Sequence, residues 1–182
     1  MIKYIAFDLV GVLVREKDIE LSIEEEKLER MFGPNIDDAS YLKEGRLIIP
    51  KDSLLMATTL KLLDKLYYVV DKNLLKNIKE LYPEVKIIVA TNHVSYIRDF
   101  IGEYVGIDYL DDVLISAEIH KIKPNPDFYE YILNKYHLDP SELLFLDDNI
   151  SNIEGAKSVN VNTIHVTRDM DILNEIKSVM DN

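Results

Sequence analysis

The sequence predicts an α/β protein, a Rossmann-like doubly wound parallel sheet with a small helical cap inserted after the first strand. Three features carry that expectation. Short apolar runs rich in β-branched and aliphatic residues recur along the chain, as strands buried on both faces require. Segments with helical spacing separate the later runs, which implies right-handed crossovers between parallel strands. From Glu16 to about Pro83, between the first and second runs, the rhythm breaks and no strand pattern is read.

The first run, Tyr4–Asp8, lies in an apolar opening, MIKYIAFDLVGVLV, which Lys3 and Asp8 interrupt. No small-residue cleavage site follows, so it reads as a buried strand and not as a signal peptide or membrane span. A cytoplasmic location is the matching expectation. Helical patterns follow at Ser22–Met31, Ile36–Glu44, Asp52–Lys65 and Asn73–Leu81. Ser22 with Glu25 has the form of a capping box, and Asp52 is placed as an N-cap. Gly33-Pro34 and Ile49-Pro50 break one helical segment from the next. Residues 16–82 are therefore assigned to a cap, and residues 1–15 with 83–182 to the core.

The remaining runs are Lys86–Thr91, Val113–Ser116, Leu143–Asp147 and Asn162–Val166. Among the intervening segments, Tyr96, Phe100 and Ile101 share one helical stripe, and Phe128, Ile132 and Leu133 share another. Asn152–Ser158 contains a further short helix.

Composition narrows the function. With 21 Lys and Arg against 33 Asp and Glu, the net charge is −12, which repels nucleic-acid phosphates and anionic lipid. Neither nucleic acid nor membrane is expected as a partner. The absence of cysteine excludes disulfides, thiolate metal sites and cysteine nucleophiles. The chain reads as a monomer or a homodimer, and nothing in it demands either.

Ligands of a doubly wound sheet bind beyond the carboxyl ends of the strands, so the polar residues that end each run are the candidates. They are Asp8, Thr91-Asn92 and Asp147-Asp148-Asn149, with Asn152 one helical turn further on. Lys121 and Lys123 stand in the loop KIKPNP between the third and fourth of these parallel strands. Carboxylates, a hydroxyl, an amide and an ammonium are thus gathered at one edge. Taken singly, each has a plainer reading as a turn former, a helix cap or a solvated lysine. Adjacent carboxylates at Asp147-Asp148 repel, which favours a metal beside them.

FDLVGVL, VATN, KIKPNPDFY and FLDDNISNIEGA resemble, in order and spacing, the four motifs of the haloacid dehalogenase superfamily. The helical stretch matches the position of that family's cap, inserted between its first two motifs. In motif form the chain is most similar to the branch containing sugar-1-phosphate phosphatases and the phosphatase domain of epoxide hydrolases. The resemblance implies a Mg²⁺-dependent hydrolase acting on a small phosphorylated substrate, with Asp8 as nucleophile and an aspartyl-phosphate intermediate. It implies that Asp8, Asp148 and the Val10 backbone carbonyl hold Mg²⁺, with Asp147 and Asn152 as possible additional ligands. Thr91, Asn92 and Lys123 would hold the phosphoryl group, and Lys123 would balance charge on Asp8.

One position departs from the pattern. Phosphatases of the family usually carry an acid two residues after the nucleophile, and here that residue is Val10. Its backbone can still serve, but its side chain moves no proton, a loss worth about 10²–10⁴ in rate. Glu16 is a nearby candidate for the missing acid. Two other readings follow: a binding or regulatory protein that keeps the fold without useful turnover, and a 2-haloacid dehalogenase. The Asp147-Asp148 pair speaks against the second, since dehalogenases need no metal. Of the histidines, His165 reads as core, His137 as a helix end and His93 as a candidate substrate contact, while Tyr41, Tyr67 and Tyr68 fit core or pocket equally.

Overall fold

The computed structural model describes residues 1–33 and 37–181. The expected breaker Pro34 and the expected helix start at Ile36 lie outside the described residues. The chain runs β1 (Tyr4–Phe7), β2 (Val14–Glu16), α1 (Ile23–Glu29), α2 (Asp38–Gly45), α3 (Asp52–Leu66), β3 (Tyr67–Val69) and α4 (Leu74–Leu81). It continues with β4 (Lys86–Thr91), α5 (Ile97–Phe100), β5 (Asp112–Ile115), α6 (Ser116–Ile119), α7 (Pro126–Tyr136), β6 (Leu143–Asp147), α8 (Ile150–Ser158), β7 (Asn162–His165) and α9 (Ile172–Met180). Among the described residues no helix is long and apolar enough to cross a membrane.

The apolar runs pair as one parallel sheet in the order β5-β4-β1-β6-β7. Alternation along the strands builds two apolar layers. Ile5, Phe7, Ile87, Val89, Leu144 and Leu146 face one side with α4, α5 and α9, whereas Ala6, Ile88, Ala90 and Phe145 face α7 and α8. Chain order leads outward from β1 in one direction and from β6 in the other, so the topological switch lies between these two neighbours. Asp8 and Asp147 stand on either side of it.

The stretch read as free of strands contains one. β3 pairs antiparallel with β2, Glu16 opposite Tyr67 and Arg15 opposite Tyr68. Three residues per strand are too few for a period-2 pattern to show in sequence. The helices α1–α3 emerge from this ribbon and return to it. Ser22 and Glu25 form the expected capping box, with hydrogen bonds of 3.2 and 2.7 Å. Asp52 is a correction: Lys51 occupies the N-cap, and the Asp52 carboxylate instead accepts both prongs of the Arg46 guanidinium at 2.8 Å.

The layer of helices is sealed to the sheet domain by apolar and polar contacts. Leu28, Phe32, Tyr41, Leu55 and Leu62 belong to the same buried cluster as Ile5 and Phe7. Tyr41 donates to Thr59 Oγ1 at 2.6 Å, and Thr59 in turn donates to the Leu55 carbonyl. Across the seam, Phe32 stacks on the His93 ring at 5.2 Å, Tyr41 packs on Tyr96, and Asp38 accepts the Ser95 N–H at 2.9 Å. Tyr41 is therefore core. The fourth helix of the stretch, α4, packs on α9 at the side of the sheet.

His165 is a second correction. β7 is an edge strand, and its histidine side chain is exposed, with Nε2 2.9 Å from the Asp148 carbonyl. His137 ends α7 in the left-handed conformation, as its expected helix-end role requires.

Candidate active site

β1 and β6 deliver their terminal carboxylates side by side because their registers match: Phe7 pairs with Leu146, and the Asp8 N–H bonds the Leu146 carbonyl at 2.8 Å. Asp8, Asp147 and Asp148 each present an oxygen within 4.8 Å of the others. Lys123 reaches between two of them. Its ammonium donates to Asp8 Oδ1 and to Asp147 Oδ2, each at 2.8 Å, with its side chain 1% exposed. The Lys123 backbone is held in turn by Asn92, which accepts the Lys123 N–H at 3.0 Å and donates to its carbonyl at 2.9 Å. Asn92 therefore meets the lysine backbone through both polar atoms of its side chain.

A glycine makes that loop fit. A Cβ at Gly155 in α8 would lie 2.2 Å from the Pro124 carbonyl oxygen, so only the bare backbone lets the helix and the lysine loop touch. Gly11 has a similar role on the other side. It holds φ +93, and a Cβ there would fall 2.2 Å from Asp148 Oδ2.

The two neighbouring aspartates have different surroundings. Asp147 is fully buried and saturated: it accepts from Lys123, from the Asn149 N–H at 2.8 Å, and from Asn152 Nδ2 at 3.0 and 3.1 Å. Asn152 is itself buried, and its carbonyl accepts from Tyr129. Asp148 is exposed, and among the described residues no other residue donates a hydrogen bond to its carboxylate, which its own backbone N–H approaches. Asp8 stands between the two cases. Oδ1 accepts from Lys123 and from the Leu9 N–H at 2.7 Å, while among the described residues Oδ2 accepts no hydrogen bond. The turn after β1 uses the carbonyls of Leu9 and Val14, leaving that of Val10 outside its hydrogen bonds. Thr91, buried, ends β4, the strand that neighbours β1 in the sheet.

Burial pushes the Asp8 carboxyl up to about 6; Lys123 opposes the shift and the Asp147 charge adds to it. Asp148, though its side chain reaches solvent, is also raised, by partial desolvation beside the cluster and then by Asp147. Burial by itself would lower the Lys123 ammonium, but Asp8 and Asp147 hold it above its ordinary value. Three carboxylates against one ammonium leave two negative charges in a cluster of hard oxygens. A divalent cation such as Mg²⁺ fits that donor set and that charge.

His93 lies at the seam, not in open space. Burial pushes its imidazole down to about 4, Nδ1 lies 3.1 Å from the Val94 carbonyl, and Tyr67 Oη is 3.4 Å from Nε2. Tyr67 is buried with it, while Tyr68 is exposed on a cleft of about 500 Å³ beside Asp148. Glu16 lines the same cleft. Sequence reasoning missed Arg15 and Arg168 there, because neither belongs to a motif and they stand 153 positions apart.

The family model described as haloacid dehalogenase-like hydrolase matches residues 5–166, and the chain belongs to that family. Among curated relatives, D-ribitol-5-phosphate phosphatase of Bacteroides thetaiotaomicron is 30% identical over 74 residues, which is 41% of this chain and 36% of the relative. The match thus spans only about a third of that relative's length. Phosphoglycolate phosphatase of Vibrio vulnificus is 25% identical across 91% of this chain and 84% of its own. A solved HAD-like family hydrolase from Porphyromonas gingivalis superposes with a TM-score of 0.78 at 20% identity, covering 100% of this chain and 99% of the other. A HAD family enzyme from Bacteroides thetaiotaomicron, in complex with magnesium and inorganic phosphate, superposes at 0.69 and 18% identity, over 94% and 97% of the chains.

Proposed function

We propose that this hydrolase is a Mg²⁺-dependent phosphatase that removes phosphate from a small phosphorylated metabolite through an aspartyl-phosphate on Asp8. One observation carries the reading: in a cluster with Asp147 and Asp148, Lys123 occupies Oδ1 of Asp8 and, among the described residues, Oδ2 has no hydrogen bond. One oxygen of the nucleophile is thereby oriented and the other kept for reaction. The matched phosphatases and the solved Mg²⁺ and phosphate complex support it.

In this reading Asp8, Asp148 and the Val10 carbonyl hold the metal. Bound Mg²⁺ supplies charge neutralisation between the attacking carboxylate and the phosphoryl oxygens. Asp8 attacks phosphorus, the bond to the leaving oxygen breaks, and that oxygen takes a proton from solvent or from Glu16 at the cleft. Water then attacks phosphorus and restores the Asp8 carboxylate. Thr91 donates its hydroxyl to a phosphoryl oxygen, and Lys123 offsets negative charge throughout. Asn92, Asp147 and Asn152 act as positioning residues for Lys123. Residues 16–82 form the cap that selects the substrate.

Phosphate release from p-nitrophenyl phosphate, with and without Mg²⁺, tests this. That leaving group hardly needs a proton, so Val10 is bypassed. Metal-dependent release that disappears in Asp8→Asn is expected; equal release by both proteins would refute the nucleophile. A second reading, a fold kept for binding with little turnover, is favoured by Val10 and by the sealed seam that leaves Asp8 9% exposed. Folded protein without release above the Asp8→Asn background selects it.

A further inference from the structure

The chain contains five arginines. Three of them pair with carboxylates: Arg30 with Glu26, Arg46 with Asp52 and Arg98 with Glu118. Among the described residues the other two, Arg15 and Arg168, form no ion pair, and both line the cleft of about 500 Å³ that borders Gly11 and Asp148. Two guanidiniums on one cleft repel each other, and a chain of net charge −12 has carboxylates to spare for them. Glu16 and Asp148 line that same cleft, yet neither carboxylate has an oxygen within 4.0 Å of either guanidinium. The pair is nonetheless held: Arg15 Nη2 donates to the Arg168 carbonyl at 2.5 Å, tying the ribbon strand β2 to the segment after β7.

We propose that this cleft is an oxyanion subsite in which Arg15 and Arg168 hold a second anionic group, a carboxylate or a phosphate, carried by the substrate. The inference rests on the phosphatase reading for the first phosphate. A guanidinium presents N–H donors in a planar fork that matches a carboxylate or phosphate in two-point contact. The exposed Tyr68, opposite Arg15 in the β2–β3 ribbon, adds a hydroxyl to the same wall. The shared wall is what links the cleft to the reaction. Gly11 and Asp148 lie on the cleft, Gly11 touches the Asp148 carboxylate, and Asp148 is within 4.8 Å of Asp8. An anion in the cleft would offset the repulsion between the two arginines.

The test uses short alkyl phosphates whose far end is a hydroxyl, a carboxylate or a second phosphate. We expect kcat/KM to favour an anionic far end by about tenfold, the scale of one charge-assisted contact. That preference should collapse in Arg15→Gln and in Arg168→Gln, and survive in part in Arg168→Lys. Calorimetric titration with inorganic sulfate reads the cleft without turnover. If the substrate preference is absent but both Gln variants weaken sulfate binding, the cleft takes a free oxyanion and the attached-group assignment falls. No preference, with sulfate binding unchanged in both variants, overturns the subsite altogether. Wild-type protein that fails even on p-nitrophenyl phosphate overturns the phosphatase reading instead, while the sulfate titration still decides the cleft.

Discussion

Asp147 and Asp148 are adjacent in sequence and opposite in circumstance. Asp147 lies under Lys123, Asn149 and Asn152 with every oxygen engaged and no exposure. Asp148 faces the cleft beside Gly11, with a carboxylate to which no other described residue donates a hydrogen bond. The difference teaches how a strand end can both build a site and serve it. The buried member fixes an ammonium in a low-dielectric setting, where an unmatched charge is costly. The open member leaves its oxygens accessible, as the proposed metal site requires. The same division runs across the whole edge, with a rigid Asn92–Lys123–Asp147–Asn152 half and an accessible Asp148–Gly11–Arg15 half.

Breaking the rigid half should have the largest effect. Lys123→Met leaves Asp8 and Asp147 buried without their cation, so we expect a loss of about 3–5 kcal/mol in urea unfolding together with loss of turnover. If the variant unfolds at the wild-type midpoint, the ammonium is not what holds this half together. The sharpest contrast comes next, from two neighbouring isosteres. Asp147→Asn should cost about 1–3 kcal/mol, because it weakens the contact to Lys123 and sets an amide against the donors of Asn149 and Asn152. Asp148→Asn should leave the unfolding midpoint in metal-free buffer unchanged or higher, since burial and Asp147 already disfavour its charge. It should abolish the rise in melting temperature on adding Mg²⁺. Equal stability losses in the two variants would erase the distinction.

The two glycines give intermediate effects. Gly11→Ala meets both a left-handed backbone and the Asp148 carboxylate, so a cost of about 1–2 kcal/mol and a weakened Mg²⁺ response are expected. Gly155→Ala pushes on the Pro124 carbonyl and should lower turnover about tenfold by displacing Lys123, with KM for p-nitrophenyl phosphate less affected. The smallest expected effect is in pH dependence. A carboxyl raised to about 6 is protonated and unreactive below that pH, so activity should rise as pH increases through this limb. Mg²⁺ favours the carboxylate, so increasing it should move the limb to lower pH. A limb that stays put across Mg²⁺ concentrations would separate Asp8 from the metal.

The sheet was legible because parallel strands buried on both faces leave continuous apolar runs; Lys86–Thr91 and Leu143–Asp147 are read to the residue. The candidate site was legible for a related reason, since its polar groups end those runs. The ribbon β2–β3 was hidden by its length. His165 was misread because an edge strand shares the apolar-run pattern while offering one side to solvent. The sequence could not separate Asp147 from Asp148, because what separates them comes from Lys123 and Asn152, placed by other elements. Arg15 and Arg168 carry no local signal at all, and only the return of the chain to the far edge of the sheet joins them.

The shared apolar cluster of Phe32, Tyr41 and Leu28 with the sheet core has a thermal consequence. If these helices, part of the proposed cap, swing away from His93 and Tyr96 to admit substrate, aromatic and aliphatic surface is hydrated and the opening carries a positive heat-capacity change. Where that motion limits turnover, an Eyring plot of kcat will be curved instead of straight. In that case Phe32→Leu, which loosens the contact with His93 across the seam, will change both the rate and the curvature.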